Sequence, residues 1–275
     1  FTANLTIMSF AEGKVVVITG GSDGIGKALV ETFLLAGANV ATCGRNYDKL
    51  YSLQKQFPGK KLFIHTADVS KEQECALFIE KVVQAYGTIH MLINNAGISM
   101  RSLVQDVSID TLKQVMDINF WGTVFCTKYA LPYIQKNNGI VVGVSSIAGY
   151  RGLPGRSAYS ASKFAVNGWL EALRTELLDS GTHVMWVCPG FTTSNIRNAA
   201  LDKDARPQGE GKMDEGSMMS AEECAEHIYK AMEKRKRTLV LTFTGKRTVF
   251  LNKFFPGLAD KLVRNFFFKN GELVK

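Results

Sequence analysis

Long apolar runs are missing from this chain. Nothing in its 275 residues approaches the roughly 20 consecutive apolar positions of a membrane-spanning helix. Cysteine is sparse: Cys43, Cys75, Cys126, Cys188 and Cys224 are odd in number, widely spaced and free of any C-x-x-C. That suits reduced thiols inside a cell and argues against a disulfide framework or a zinc site. The histidines, His65, His90, His183 and His227, are scattered one to a region, so no metal site is expected. There is no repeat at solenoid spacing and no low-complexity segment. The opening FTANLTIMSF lacks the basic flank and long apolar centre of a secretory signal. Residues 1–7, ahead of Met8, are set aside as an addition, and 8–275 is read as a single catalytic domain.

Charge is not balanced. Lys and Arg number 33 against 25 Asp and Glu, a net of +8. An anionic partner is therefore plausible: a phosphorylated cofactor, a lipid surface or nucleic acid. The KRKR run at 234–237 has no interleaved aromatics, and no nucleic-acid motif occurs, so nucleic acid is not expected.

Short, nearly all-apolar runs recur at 14–19, 39–43, 61–66, 89–93, 139–144, 183–187 and 238–243. Such runs suit strands covered on both faces. Amphipathic stretches lie between them. One spans 25–36, one follows Ser70 with Gln73 three residues on, and one starts at Ser220 with Glu223 in the same relation; the last two are capping-box patterns. Alternating strand and helix predict an α/β fold with a doubly wound, mostly parallel seven-stranded sheet and helices on both faces. Two regions break the rhythm. The polar stretch 191–219 reads as a substrate lid, with Met213, Met218 and Met219 as candidates to line an apolar pocket or simply to pack the lid. The tail, 245–275, mixes aromatic and basic residues, with Leu258, Leu262 and Phe266 at helical spacing. It suits peripheral membrane contact, packing on its own domain, or a partner subunit.

The first strand runs into T-G-G-S-D-G-I-G, 19–26, which opens a helix. Glycines allow close backbone approach, and a helix N-terminus offers free N–H groups to a pyrophosphate. Gly20, Ser22, Asp23, Gly24, Ile25 and Gly26 are the candidates. Dinucleotide folds usually place a carboxylate at the end of the second strand. Here that strand ends A-T-C-G-R-N, without one. Arg45, with Asn46 beside it, would bind a 2′-phosphate, which argues for NADP(H).

Four further motifs follow in order: INNAG at 93–97, Asn119, VSSIAG with YSASK at 144–163, and CPG at 188–190. Together with the glycine turn they resemble the short-chain dehydrogenase/reductase family over nearly the whole chain. Finer features are similar to its member 7 and 7B group and, less closely, to 3-ketosphinganine reductases. The resemblance implies that Asn95, Ala96 and Gly97 line the cofactor cleft and that Asp68, followed by Val69, approaches the adenine. It implies Pro189, Gly190, Thr192 and Ser194 near the nicotinamide; the family's Thr is replaced by Ser194. It makes Ser146, thirteen residues before Tyr159, the catalytic serine. It gives Asn119 a water that links Lys163 to solvent. Homo-oligomers and lipid-like or steroid-like ketones are also implied.

The chemistry stands on its own terms. A free phenol has a pKa of about 10. Lys163, at i+4 on a helix, shares a face with Tyr159 and is expected to lower that value. Tyr159 is then a general acid for a carbonyl, and Ser146 a hydrogen-bond donor to its oxygen. The expected function is NADPH-dependent reduction of a ketone to a secondary alcohol, in the cytoplasm or at a membrane periphery. A non-catalytic NADP-binding redox sensor is the alternative. Arg101, Arg151 and Arg156 are candidates to meet an anionic substrate, or are ordinary surface arginines.

Overall fold

The computed structural model describes residues 9–192, 196–209 and 218–274. Its frame is a seven-stranded sheet in which each strand pairs in parallel with its neighbours. The strands are β1 (Val15–Thr19), β2 (Asn39–Gly44), β3 (Leu62–Thr66), β4 (Met91–Asn94), β5 (Ile140–Val144), β6 (His183–Cys188) and β7 (Thr238–Val240). The order is β3-β2-β1-β4-β5-β6-β7. It reverses direction between β1 and β4, which opens a crevice at the carboxyl ends of the strands.

The alternation of side chains along each strand separates two cores. Val16 and Ile18 of β1 face α1 (Gly24–Leu35) and α7 (Ala221–Glu233). Val15 and Val17 face α3 (Glu72–Tyr86), α5 (Gly122–Lys136) and α6 (Ser157–Glu176). With both faces covered, strands need no polar side, which is why they read as unbroken apolar runs. The five cysteines are free and buried in these layers.

Local chemistry sets the element ends. Asn46 caps α2 (Tyr47–Gln56), its Oδ1 accepting from the Lys49 amide at 2.9 Å. Ser220 caps α7 as expected, accepting from the Glu223 amide at 3.0 Å. Ser70 does not cap α3. Its hydroxyl and amide both bond Asp68 Oδ1, at 2.8 and 3.0 Å, and the cap position falls to Lys71 without a side-chain bond. A local side-chain turn has won over the helix end. Strand β7 is also shorter than its apolar run. Thr242 takes a φ of 62°, and its hydroxyl accepts from the Gly245 amide at 3.1 Å, starting α8 (Phe243–Phe254) inside the expected strand.

The tail folds back over the carboxyl edge of the sheet. It comprises α8, α9 (Pro256–Phe267) and a small antiparallel pair, β8 (Phe268–Lys269) with β9 (Glu272–Leu273). Arg151 bonds Asn252 at 3.0 Å and pairs with Asp260; Asn252 Nδ2 donates to the Tyr150 carbonyl at 2.8 Å. Of the alternatives for the tail, packing on its own domain is realised in this structure.

Candidate active site

The crevice holds a cavity of about 770 Å³. One end is the turn after β1. Gly20 has a φ of 70° there, a conformation that disfavours any side chain. A Cβ on Gly20 would lie 2.9 Å from Ala96 Cα; one on Gly26 would lie 2.2 Å from the Gly20 carbonyl oxygen. Thr19 Oγ1 receives the amides of Asn95 and Ala96, each at 3.0 Å, and Asn95 Nδ2 donates to the Thr19 carbonyl at 3.0 Å. The glycine turn and the Asn95–Gly97 segment are thus one tied unit. Asp23 caps α1, accepting from the Gly24 amide at 2.8 Å, and its carboxylate is paired with Lys49 at 3.0 Å. The pairing keeps a carboxylate beside the turn from standing as a bare negative charge.

Ser22, Ile25, Arg45, Asp68, Val69, Gly97, Pro189, Gly190 and Thr192 also line this cavity. Arg45 is exposed at its rim. Asn46 is not on the wall; its side chain is used as the α2 cap. Ser194, with Thr193, lies outside the described residues, as does Met213. Met218 and Met219 are described and do not line the cavity; Met219 packs against the α1–α7 core instead.

At the other end, β5 and α6 bring Ser146, Tyr159 and Lys163 to the same cavity wall. Ser146 lies two residues past β5 and accepts from the Ala148 amide at 3.1 Å, opening a single 3₁₀ turn, Ile147–Gly149. Lys163 is only 4% exposed, and its Nζ donates to the Val144 carbonyl at 2.8 Å. Burial pushes its pKa down to about 8. Tyr159 departs from expectation. Burial holds its phenol above the ordinary value, opposed first by a hydrogen bond with Ser146 and then by the Arg156 guanidinium. The cation that lowers it here is Arg156; the Lys163 ammonium is held on the Val144 carbonyl instead.

Asn119 is 1% exposed and sits in a π-helical turn, Asp117–Trp121, between α4 (Ile109–Met116) and α5. Such turns recur at functional sites. Its side chain clasps Ile98, accepting from the amide at 2.8 Å and donating to the carbonyl at 2.9 Å, and also donates to Ser162 Oγ at 3.0 Å. Asn119 supports the cavity from behind, and both of its Nδ2 hydrogens are committed. A water link to Lys163 would have to use an acceptor atom, such as the second lone pair of Oδ1.

The reading from sequence missed one wall. Thr244, Arg247, Leu251, Leu262, Val263 and Phe266 of the tail line the cavity, as do Arg156 and Arg197. The helical spacing of Leu262 and Phe266 was the available signal, but nothing in it says which surface they meet. Arg151, a candidate for substrate, is spent on Asp260 and Asn252.

A nucleotide-sized crevice at a strand-order reversal, with a Ser–Tyr–Lys wall, belongs to one class of enzyme. The short chain dehydrogenase family model matches residues 14–205, and the chain belongs to that oxidoreductase family. Among named relatives it is similar to dehydrogenase/reductase SDR family member 7B of Bos taurus, 35% identical over 94% of this chain and 83% of the relative. The Mus musculus protein of that name is 33% identical over 93% and 81%. An 11-beta-hydroxysteroid dehydrogenase A of Arachis hypogaea is 32% identical over 90% and 74%. Among solved structures, a Burkholderia phymatum short-chain dehydrogenase/reductase in complex with NAD shares the fold, with a TM-score of 0.80 at 23% identity over 90% of this chain and 95% of that one.

Proposed function

We propose that this chain is an NADPH-dependent carbonyl reductase, taking a ketone on an apolar, lipid-like or steroid-like substrate to a secondary alcohol. The observation that carries the reading is the shared cavity: Ser146, Tyr159 and Lys163 at one end, and a glycine turn with no room for a Cβ at the other. That cradle fits a dinucleotide. Gly20, Gly24 and Gly26 with the α1 amides would hold the pyrophosphate, Asp68 and Val69 the adenine side, and Asn95–Gly97 the cleft floor. Pro189, Gly190 and Thr192 border the nicotinamide end. Bound there, a nicotinamide dinucleotide supplies hydride to the carbonyl carbon.

The protein's own atoms manage the oxygen. Tyr159 gives its phenolic proton to the carbonyl oxygen as that oxygen becomes the alcohol. Ser146 donates a hydrogen bond to the same oxygen while it carries negative charge. Lys163, balanced near neutrality, holds ribose hydroxyls and helps return a proton to Tyr159. For the choice of cofactor, Arg45 at the rim and the absence of a carboxylate at the end of β2 favour a 2′-phosphate. Of the 191–219 stretch, the described residues Phe191, Ile196 and Arg197 border the cavity.

Substrate class follows from the tail. Leu251, Leu262, Val263 and Phe266 give the cavity an apolar wall. The tail also exposes Phe243, Phe250, Phe254, Phe255 and Leu258, amid Lys246, Lys253, Lys261 and Arg264. Aromatic and basic residues mixed on one helical face suit an anionic bilayer surface. We read the tail as a peripheral membrane contact beside the cavity. The deciding test is a panel of lipid and steroid ketones with NADPH oxidation as readout; a chain that oxidises NADPH with none of them is not this enzyme.

A further inference from the structure

Asn167 is a buried amide on an apolar stretch of α6. It lies one turn past Lys163 and is 9% exposed, and its neighbours Val166 and Leu170 are core residues. Its Nδ2 donates to the Gly149 carbonyl at 3.0 Å. Its Oδ1 is also buried and has no hydrogen-bond partner among the described residues. Only Nδ2 can face a carbonyl oxygen, so the partner fixes the orientation of the amide. An apolar residue would fill this position with no orphaned acceptor of its own, and such an acceptor is costly to bury. What the asparagine adds is one donor, and that donor is spent on Gly149.

Gly149 closes the 3₁₀ turn that begins at Ser146, its amide donating to the Ser146 carbonyl at 2.9 Å. Helix and turn are in direct contact there: a Cβ on Gly149 would lie 2.7 Å from Asn167 Nδ2 and 2.9 Å from the Lys163 carbonyl oxygen. α6 therefore grips the chain on both sides of the serine. Lys163 holds the carbonyl of Val144, two residues before Ser146, and Asn167 holds that of Gly149, three after. We propose that Asn167 is a positioning residue for the Ser146 hydroxyl: by holding Gly149 it keeps Ser146 within reach of Tyr159 and of the carbonyl oxygen to be reduced. Its effect on turnover rests on the proposed reductase reading; its hold on Ser146 does not. The Tyr159 phenol supplies a gauge. Burial raises its pKa, and the Ser146 hydrogen bond opposes that most. The titratable groups about the phenol are Arg156, which also lowers it, Cys188 of β6, which raises it, and Lys163.

The full chain, saturated with NADP⁺ and carrying tyrosine isotopically labelled at Cζ, is titrated by NMR, with Tyr159→Phe assigning the resonance. Ser146→Ala should move the Tyr159 midpoint to higher pH. Asn167→Leu should move it the same way, and the two changes together no further than Ser146→Ala alone. Asn167→Ala, which crowds nothing, should repeat the result, and Asn167→Gln, which keeps the donor on a longer arm, should recover part of the shift. The melting temperature of Asn167→Leu should hold, because one orphaned acceptor is exchanged for another. In ketone reduction this variant should lower kcat about tenfold, leave KM for the ketone within about twofold and carry the alkaline limb of kcat to higher pH. A Tyr159 midpoint that stays put in Asn167→Leu and Asn167→Ala, or a shift that adds to that of Ser146→Ala, overturns the proposal. A wild type that reduces no ketone while Asn167→Leu still shifts the midpoint defeats the proposed function and leaves the positioning role standing. A ketone reductase whose Asn167→Leu variant keeps both midpoint and kcat defeats the positioning role alone.

Discussion

Lys163 Nζ lies 5.7 Å from the centroid of the Tyr159 ring, one helical turn away. The ammonium is anchored on the Val144 carbonyl, so the pair is a fixed spacing and not a mobile contact. Removing the phenolic proton should therefore remove chemistry alone. Tyr159→Phe is expected to lower kcat by about 10²–10⁴-fold. NADPH binding, followed by fluorescence, should be unchanged. Turnover near the wild-type rate in this variant would rule Tyr159 out as the acid.

Arg45 stands at the other end of the cavity. Arg45→Ala should reduce kcat/KM with NADPH by about tenfold or more, the scale of a charged hydrogen bond lost. The value with NADH should hardly move. Steady-state kinetics with both cofactors checks this, and a wild type that prefers NADH contradicts it.

Gly26→Ala puts a Cβ 2.2 Å from the Gly20 oxygen and 2.4 Å from Asn95 Nδ2. Neither atom is free to give way, because both belong to the tied unit under the turn. The expected cost is about 1–3 kcal/mol, typical of overpacking. Gly168→Ala is the control: it meets nothing within 4 Å in the middle of α6. It should stabilise by about 0.5–1 kcal/mol. Urea denaturation of the two variants should show opposite signs.

The buried amine makes stability depend on pH in a calculable direction. Lys163 titrates at about 8 folded against an ordinary 10.5. Between those values the unfolded chain binds the extra proton, so this group's contribution rises with pH through the window. Below it both states are protonated, and the buried charge is penalised in full, by roughly 3 kcal/mol on the span of the shift. Cys43 and Cys188, raised from 9.0 to about 12 by burial, push the other way in alkali. Lys163→Met isolates the lysine: its stability advantage should be largest near about pH 7 and shrink by about pH 10. An advantage that stays constant with pH would mean the amine is not buried in its charged form.

The exposed aromatics of α8 sit apart from the cavity wall, so they can be changed without touching it. The full chain is expected to sediment with vesicles containing phosphatidylserine and less with neutral ones, and high salt should release it. Phe250→Ser with Phe254→Ser should weaken sedimentation while the melting temperature holds. Equal sedimentation of the double variant would move the contact elsewhere or abolish it.

The sheet was readable because its strands are buried on both faces and so need no polar positions; all seven runs became strands. The glycine turn and the Ser–Tyr–Lys spacing were readable because they are local. What was not readable depends on competition or on distance. Ser70 fits a helix cap by pattern, yet Asp68 two residues back takes its hydroxyl. The run at 238–243 is apolar enough for a strand, but Thr242 turns it into a helix start. The charge near Tyr159 was assigned to its i+4 lysine, since helical spacing is visible in one dimension; the role of Arg156 depends on which groups surround it in three. The tail's wall of the cavity joins residues about 100 positions apart, as in the bond between Arg151 and Asn252, and no periodicity encodes such a meeting.

That last bond has a consequence for how the molecule is made. The glycine turn, the Asn95–Gly97 floor and the Ser146–Lys163 wall are all synthesised before α8 and α9. Leu273 is later still, and it packs where a Cβ on Gly155 would lie 2.5 Å away, next to Arg156. The wall that α8 and α9 add is therefore the last part of the cavity to be made.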